Sequence, residues 1–346
     1  MSKKRLGVVL FQLGGPDSSE AVEPFLYNLF CDPDIINFTG AFLARRPLAR
    51  YISRRRAGVV REHYDAIGGH SPIRQLTERQ ARRLERALAP DFDVRCSIAM
   101  RYWHPLTEEA AEAVRSWDLD ALVLLPLYPQ YSFATTLSSL KEWKRIYRPA
   151  RGAPEPVVIE EFHLHPQYIQ GLVGRINTAL THFDDPSKAH LVFSAHGLPL
   201  SLIARGDPYQ RHVEETVAAT VARGGWRNGH TLCYHSRVGR QKWLEPSLTQ
   251  TLERLPREGK KHLLVIPISF VTEHIETLHE INIEAREQAL AAGVEKFEMM
   301  PALGDAPDFI AALASLVRTA LGVGSAEAAH AADGLTGILT NTPQLP

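Results

Sequence analysis

The sequence predicts two doubly wound α/β domains facing a cleft, and three observations carry that reading. The first is an alternation of short runs dense in Val, Ile, Leu and Phe with longer amphipathic segments. This is the pattern of parallel strands covered on both faces by helices. The second is a Pro- and Arg-rich stretch at 148–154 that divides the chain into halves with similar element counts. The third is the run of unusual residues that follows the strands, at the edge where open α/β sheets bind ligands.

The strand-like runs are Leu6–Leu13, Val94–Met100, Ala121–Leu127, Val157–Phe162, His190–Ser194, Thr231–Tyr234 and His262–Phe270. Helix-like segments are Ser18–Leu29, Thr77–Leu88, Thr107–Ser116, Pro166–Leu180, Tyr209–Arg223, Pro246–Leu255 and Pro307–Leu321. The expected units are residues 1–150 and 151–321. Residues 322–346 are rich in Gly, Ala, Thr and Pro and read as a disordered tail.

Composition narrows the function classes. Lys+Arg and Asp+Glu are both 39 in 346 residues, so there is no whole-chain basic footprint for nucleic acid. Cys31, Cys96 and Cys233 are odd in number and far apart, which gives neither a disulfide framework nor a Cys-x-x-Cys site. The apolar run after Met1–Arg5 ends at Gly14-Gly15-Pro16, too early for a secretory signal, and no run approaches a membrane span. A reducing, cytoplasmic setting is the expectation.

The strand ends describe the cleft. They carry Leu13-Gly14-Gly15-Pro16, Arg101-Tyr102-Trp103-His104, Tyr128-Pro129-Gln130-Tyr131, Ser194-Ala195-His196-Gly197, Tyr234-His235-Ser236-Arg237 and Thr272-Glu273-His274. As an α-helix, 273–280 would bring Glu273, Glu276 and Glu280 within roughly 60° of one another. Such a carboxylate stripe is solvated, meets a cation or shares protons. Ser194 lies outside any Gly-x-Ser-x-Gly turn, His274 and His279 do not form His-Glu-x-x-His, and no phosphate-binding Gly-x-x-x-x-Gly-Lys loop is present. Arg45, Arg46, Arg50 and Arg54–Arg56 alternate with Phe42, Leu43, Leu48, Tyr51 and Ile52. That is either a basic surface helix or an amphipathic lip for anionic lipid or a carboxylate-bearing ligand.

At these strand ends the sequence resembles the ferrochelatase family, enzymes that insert ferrous iron into a porphyrin. The matching stretches are Leu13–Pro16, Ile67–Ile73, Met100–Pro105, Leu125–Ser132, Ser194–Pro199, Cys233–Gly239 and Phe270–Leu278, in the family's order. The resemblance implies two Rossmann-like domains with a porphyrin cleft between them. It assigns His196 and Glu276 as the inner pair at the macrocycle, the catalytic residues and the metal ligands, with Glu280 and Glu273 as a relay running outward. It places Arg56, Tyr64, Ser71, Arg101, Tyr102 and Leu13 against the porphyrin and its propionates. Metallation removes two pyrrole protons, strips water from Fe²⁺ and bends the ring. A neutral imidazole suits the proton step, and an imidazole with carboxylates suits the metal. The residues leave open whether His196 binds metal or accepts protons.

The resemblance also implies the reaction's partners, protoporphyrin IX and Fe²⁺ as substrates, with peripheral contact at the inner face of the membrane through the lip. Some members carry an iron–sulfur cluster on four cysteines. Here Phe133 stands where one would lie and three thiols cannot supply four ligands, so no cluster and no tightly bound cofactor are expected. Members that use coproporphyrin place Tyr where this chain has Leu13. His279 stands in place of a commoner Tyr. The rivals are a coproporphyrin III ferrochelatase, a cobalt or nickel chelatase for another tetrapyrrole, and a non-catalytic heme-binding module on the same scaffold.

Overall fold

The computed structural model describes residues 3–33, 41–237 and 241–323, with side chains for all of these except 41–43. Two parallel four-stranded sheets repeat one strand order. The first is β2-β1-β3-β4, from β1 (Lys4–Gln12), β2 (Phe92–Met100), β3 (Ala121–Pro126) and β4 (Val157–Val158). The second is β6-β5-β7-β8, from β5 (His190–His196), β6 (His230–His235), β7 (His262–Pro267) and β8 (Lys296–Met299). In each sheet the chain leaves the first strand to one side and returns on the other. That is a topological switch point, where a crevice opens beyond the carboxyl ends.

Helices α1 (Val22–Cys31), α2 (Ala41–Asp65), α3 (Ile73–Leu88), α4 (Thr107–Arg115) and α5 (Ser138–Ile146) belong to the first half. Then follow α6 (Pro166–Leu180), α7 (Leu200–Ala204), α8 (Tyr209–Gly224), α9 (Leu248–Arg257), α10 (Arg286–Ala291) and α11 (Pro307–Ala320). Two π-helical stretches, Phe133–Leu137 and Glu276–Ala285, run directly into α5 and α10.

Strand periodicity decides where each residue packs. Val9 and Phe11 of β1 face α4 and Trp143, whereas Leu6, Val8 and Leu10 face a second core. That second core also receives Leu191, Phe193 and Ala195 of β5, residues of α6 and α8, and Phe309 and Leu313 of α11. One hydrophobic cluster therefore joins both sheets, and each large side chain fully buried in it contributes on the order of 1.5–3 kcal/mol.

Three expectations are corrected. The run at 157–162 makes a ladder only at Val157–Val158, on β3, so the first sheet takes a strand from beyond residue 150. Residues 148–154 accordingly connect α5 to β4 and do not separate the sheets. Ile159 and Phe162 are apolar because they plug the shared core. Strand β8 was not anticipated: it is four residues long, and only Phe297 is fully buried. The tail beyond residue 323 and the side chains of Phe42 and Leu43 lie outside the described residues.

Candidate active site

The site forms at the switch point of the second sheet. His196 is the last residue of β5 and lies in register with His235, the last of β6. Neighbours in register on parallel strands share a face, so both imidazoles project to the same side. Gly197 makes the close approach possible: its N–H donates to the His235 carbonyl at 2.7 Å, and a Cβ there would sit 2.9 Å from that oxygen. The loop after β7 is clamped by the first half. Gln12 Nε2 donates to Thr272 Oγ1 at 3.2 Å, and the Thr272 hydroxyl donates to Gln80 Oε1 at 3.3 Å. This fixes the start of the π-helix and hence Glu276.

Glu276 is the hub. Its Oε2 lies 2.7 Å from His196 Nδ1 and 3.3 Å from both His235 Nε2 and Ser236 Oγ. His274 Nε2 stands 3.7 Å from Oε1. Burial works against the charged carboxylate, yet the charge and hydrogen bond of His196, with bonds from His235 and His274, hold it well below the usual carboxylate range. Burial likewise works against a charged His196, but Glu276 overcomes it and the His196 pKa is raised. The two residues expected as the inner pair are directly paired with each other.

Glu280 accepts a 2.6 Å bond from Ser236 Oγ. Ser236 is the one non-glycine described residue with positive φ, at 57°. Holding a hydroxyl between two carboxylates in that conformation costs about 1–2 kcal/mol, the kind of strain that collects at functional sites. Glu273 departs from the expected stripe. The helix begins after it, and its carboxylate accepts from the Ala302 N–H at 2.6 Å and from the Thr277 hydroxyl. The i→i+5 bonding of 276–285 also replaces the assumed α-period, and it presents Glu276, Glu280 and Glu284 at successive turns.

Helix α2 lies over this line. His63 stacks on His279 with centroids 4.1 Å apart, and both approach Glu284, at 3.9 and 3.6 Å. The histidine at 279 thus has a role in joining the lip to the π-helix. Burial, then the charges of Glu276 and Glu280, raise the Tyr64 hydroxyl pKa.

The expected porphyrin contacts divide. Arg56 is exposed with its guanidinium 5.7 Å from the Phe30 ring, and Leu13 is half-buried between two apolar clusters. Tyr64, Ser71 and Tyr102 are instead buried, each 3% exposed or less. Tyr102 donates to Asp32 at 2.8 Å, Ser71 packs on Gly15, and Tyr64 belongs to the α1–α2 cluster. Arg101 pairs with the buried Asp32 at 2.8 Å. An open concavity lies on the outer face of α2, lined by Tyr27, Arg46, Arg50, Tyr51, Arg54 and Arg55, and by none of the acid–base groups.

The ferrochelatase sequence model matches residues 5–321. The chain belongs to the ferrochelatase family. A Picosynechococcus protein named ferrochelatase is 47% identical over 92% of this chain and 83% of its own length. A Geotalea uraniireducens ferrochelatase is also 47% identical, over 91% and 97%. Solved structures carry the fold further: Bacillus subtilis SirB with Fe³⁺ superposes with a TM-score of 0.53 at 12% identity, covering 92% of this chain and 95% of that one. CbiX, from siroheme biosynthesis in denitrifying bacteria, gives 0.50 at 15%, over 91% and 99%. The chelatase fold and a ferrochelatase activity in heme biosynthesis follow from these matches. His235, Ser236 and His274 stand among the strand-end runs read from the sequence, but no role was assigned to them. The signal that could have found His235 is the β5–β6 register, which sets it beside His196.

Proposed function

We propose that this ferrochelatase uses protoporphyrin IX: Fe²⁺ and protoporphyrin IX give protoheme and two protons, with His196 and Glu276 at the reacting centre. The observation that carries the reading is the 2.7 Å His196–Glu276 pair at the switch point, under a lip from the other half of the chain. Once Glu276 turns toward a cation, His196 gives its extra proton to water and stands as a neutral imidazole that can share the ion and, as the ion passes into the ring, take a pyrrole proton, and Glu280 offers the next carboxylate outward. Leu13 supplies no donor or charge to a ring propionate, which favours the less carboxylated porphyrin. Fe²⁺ is substrate in this reading, and no cluster or resident cofactor takes part.

The buried positions of Tyr64, Ser71 and Tyr102 support a binding step in which the lip lifts. No helix among the described residues is long and apolar enough to cross a membrane. Exposed Tyr51 and Val59 beside Arg50, Arg54 and Arg55 support peripheral contact of α2 with anionic lipid. The test is anaerobic mixing with Fe²⁺ and either protoporphyrin IX or coproporphyrin III, followed by absorption. Faster metallation of coproporphyrin would overturn the substrate assignment, and tight heme binding without turnover would favour the carrier reading. Cosedimentation with phosphatidylglycerol but not phosphatidylcholine vesicles checks the lipid contact.

A further inference from the structure

Three clusters among the described residues bring two histidines and a glutamate within metal-chelating distance: His63, His279 and Glu284; His163, His212 and Glu161; and His196, His235 and Glu276. Ring geometry separates them. A metal bound by imidazole lies in the ring plane, along the nitrogen lone pair. In the first two clusters the rings are stacked, with centroids 4.1 and 4.0 Å apart and interplanar angles of 13° and 6°. Planes that far apart at such small angles meet only well beyond bonding distance, so neither pair can hold one ion without turning a buried ring. His196 and His235 stand 5.7 Å apart at 90°, and perpendicular planes do intersect. Phe270 packs against both rings, at 6.4 and 5.4 Å, and fixes that angle.

We propose that His235 is a third protein ligand for the divalent ion, joining His196 and Glu276, and that before the ion binds it serves as a hydrogen-bond donor to Glu276. The inference rests on the reading above, in which the ion enters at Glu276. A carboxylate only accepts, so the 3.3 Å contact places the proton on His235 Nε2. Nδ1 then carries the lone pair and accepts from Ser194 Oγ at 2.9 Å. Ser194 is fully buried, but a hydroxyl can reverse by rotation about one bond. When a cation takes Glu276, solvent water takes the Nε2 proton and returns one to Nδ1, with no net gain or loss. The imidazole stays neutral, and Ser194 turns to accept from Nδ1–H. The Nε2 lone pair then faces the ion, with its ring held from behind as metal-bound histidines are. Two imidazoles and a carboxylate are a donor set suited to Fe²⁺.

Glutamine separates the two roles of His235, because its amide can donate to Glu276 and accept from Ser194 while supplying no imidazole nitrogen. The measurement is electron spin-echo modulation of the porphyrin-free protein loaded with one equivalent of Cu²⁺, which counts coordinated imidazoles without requiring turnover. Wild type should show at least two and His235→Gln one fewer. The Co²⁺ dissociation constant should rise about tenfold or more in that variant, with porphyrin KM unchanged. A single imidazole in wild type, or a count unchanged in His235→Gln, overturns the inference. If His235→Gln does not fold, His274→Gln decides: a lost imidazole there identifies His274 as the second ligand and also overturns it. Cu²⁺ binding that survives Glu276→Gln intact would instead overturn the site reading itself.

Discussion

At the carboxyl edge of the first sheet the charged groups are closed on one another. Asp32 is fully buried and receives Arg101, the Tyr102 hydroxyl and the Ser138 hydroxyl at 2.8, 2.8 and 3.2 Å. At the same edge of the second sheet, Glu276 receives His196, His235 and Ser236. The sheets share a strand order and each edge centres on one carboxylate, but the partners differ in kind. A guanidinium does not lose its proton, so Asp32 keeps its partner at any working pH and serves to anchor α1 to the first sheet. An imidazole nitrogen can donate or accept and its bond is not fixed by a permanent charge, so the Glu276 pairs can open when a cation arrives. One fold repeated twice thus gives a fixed carboxylate in one copy and an exchangeable one in the other.

The largest expected effects set these two carboxylates against each other. Glu276→Gln should lower kcat at least about a hundredfold, the scale of a positioned acid–base group, while porphyrin KM and melting temperature change little. Asp32→Asn should do the reverse. Breaking a buried charge pair destabilises by about 3 kcal/mol, and kcat measured well below the transition should remain within about twofold. Denaturant unfolding and steady-state kinetics on both variants check the contrast. A kinetic defect in Asp32→Asn with normal stability would break it.

A smaller effect follows from pH. The His196 pKa is raised above its ordinary 6.5, so the pair stabilises the fold fully below 6.5 and loses that contribution as pH rises through the higher folded value. The Glu276 pKa is lowered below its ordinary 4.5, so its contribution is present above 4.5 and fades as pH falls through the depressed value. An imidazolium cannot accept a pyrrole proton, so activity should climb over the same interval above 6.5 in which the pair's stabilisation declines. In Glu276→Gln burial acts on His196 largely unopposed, and the acidic limb of the residual rate should move below 6.5. An unmoved limb in a pH–rate profile would show that another group sets it.

Much of this arrangement was legible in the sequence because strands buried on both faces advertise themselves by composition. The switch-point rule then placed His196 and the carboxylates at an edge. Other features depend on what a linear pattern does not carry. The buried fates of Tyr64 and Tyr102 come from packing α1 and α2 on the strand ends, and aromatic residues read the same whether they line a cleft or lie beneath it. The helix starts only after Glu273, so a helical wheel begun at 273 put Glu273 on a face it does not share. His235 needed the β5–β6 register before its pairing with His196 had meaning.

The finest division lies within the acidic line itself, between Glu280 and Glu273. Glu280 is half-buried and holds the Ser236 hydroxyl at 2.6 Å, the same hydroxyl that reaches Glu276 at 3.3 Å. Glu280→Gln should therefore disturb Glu276 indirectly and lower kcat by several-fold, well short of the Glu276→Gln loss, since water can replace an outer relay group. Glu273 faces the other way. Its oxygens are taken by the Ala302 N–H and the Thr277 hydroxyl, contacts that tie the loop before the π-helix to the segment after β8. A glutamine there still accepts through its carbonyl oxygen but turns its amide toward the second donor. The expected cost is about 1 kcal/mol of stability, with kcat and both KM values unchanged. Chemical denaturation of Glu273→Gln alongside anaerobic kinetics tests this. A kcat loss matching that of Glu280→Gln, at full stability, would restore Glu273 to the relay.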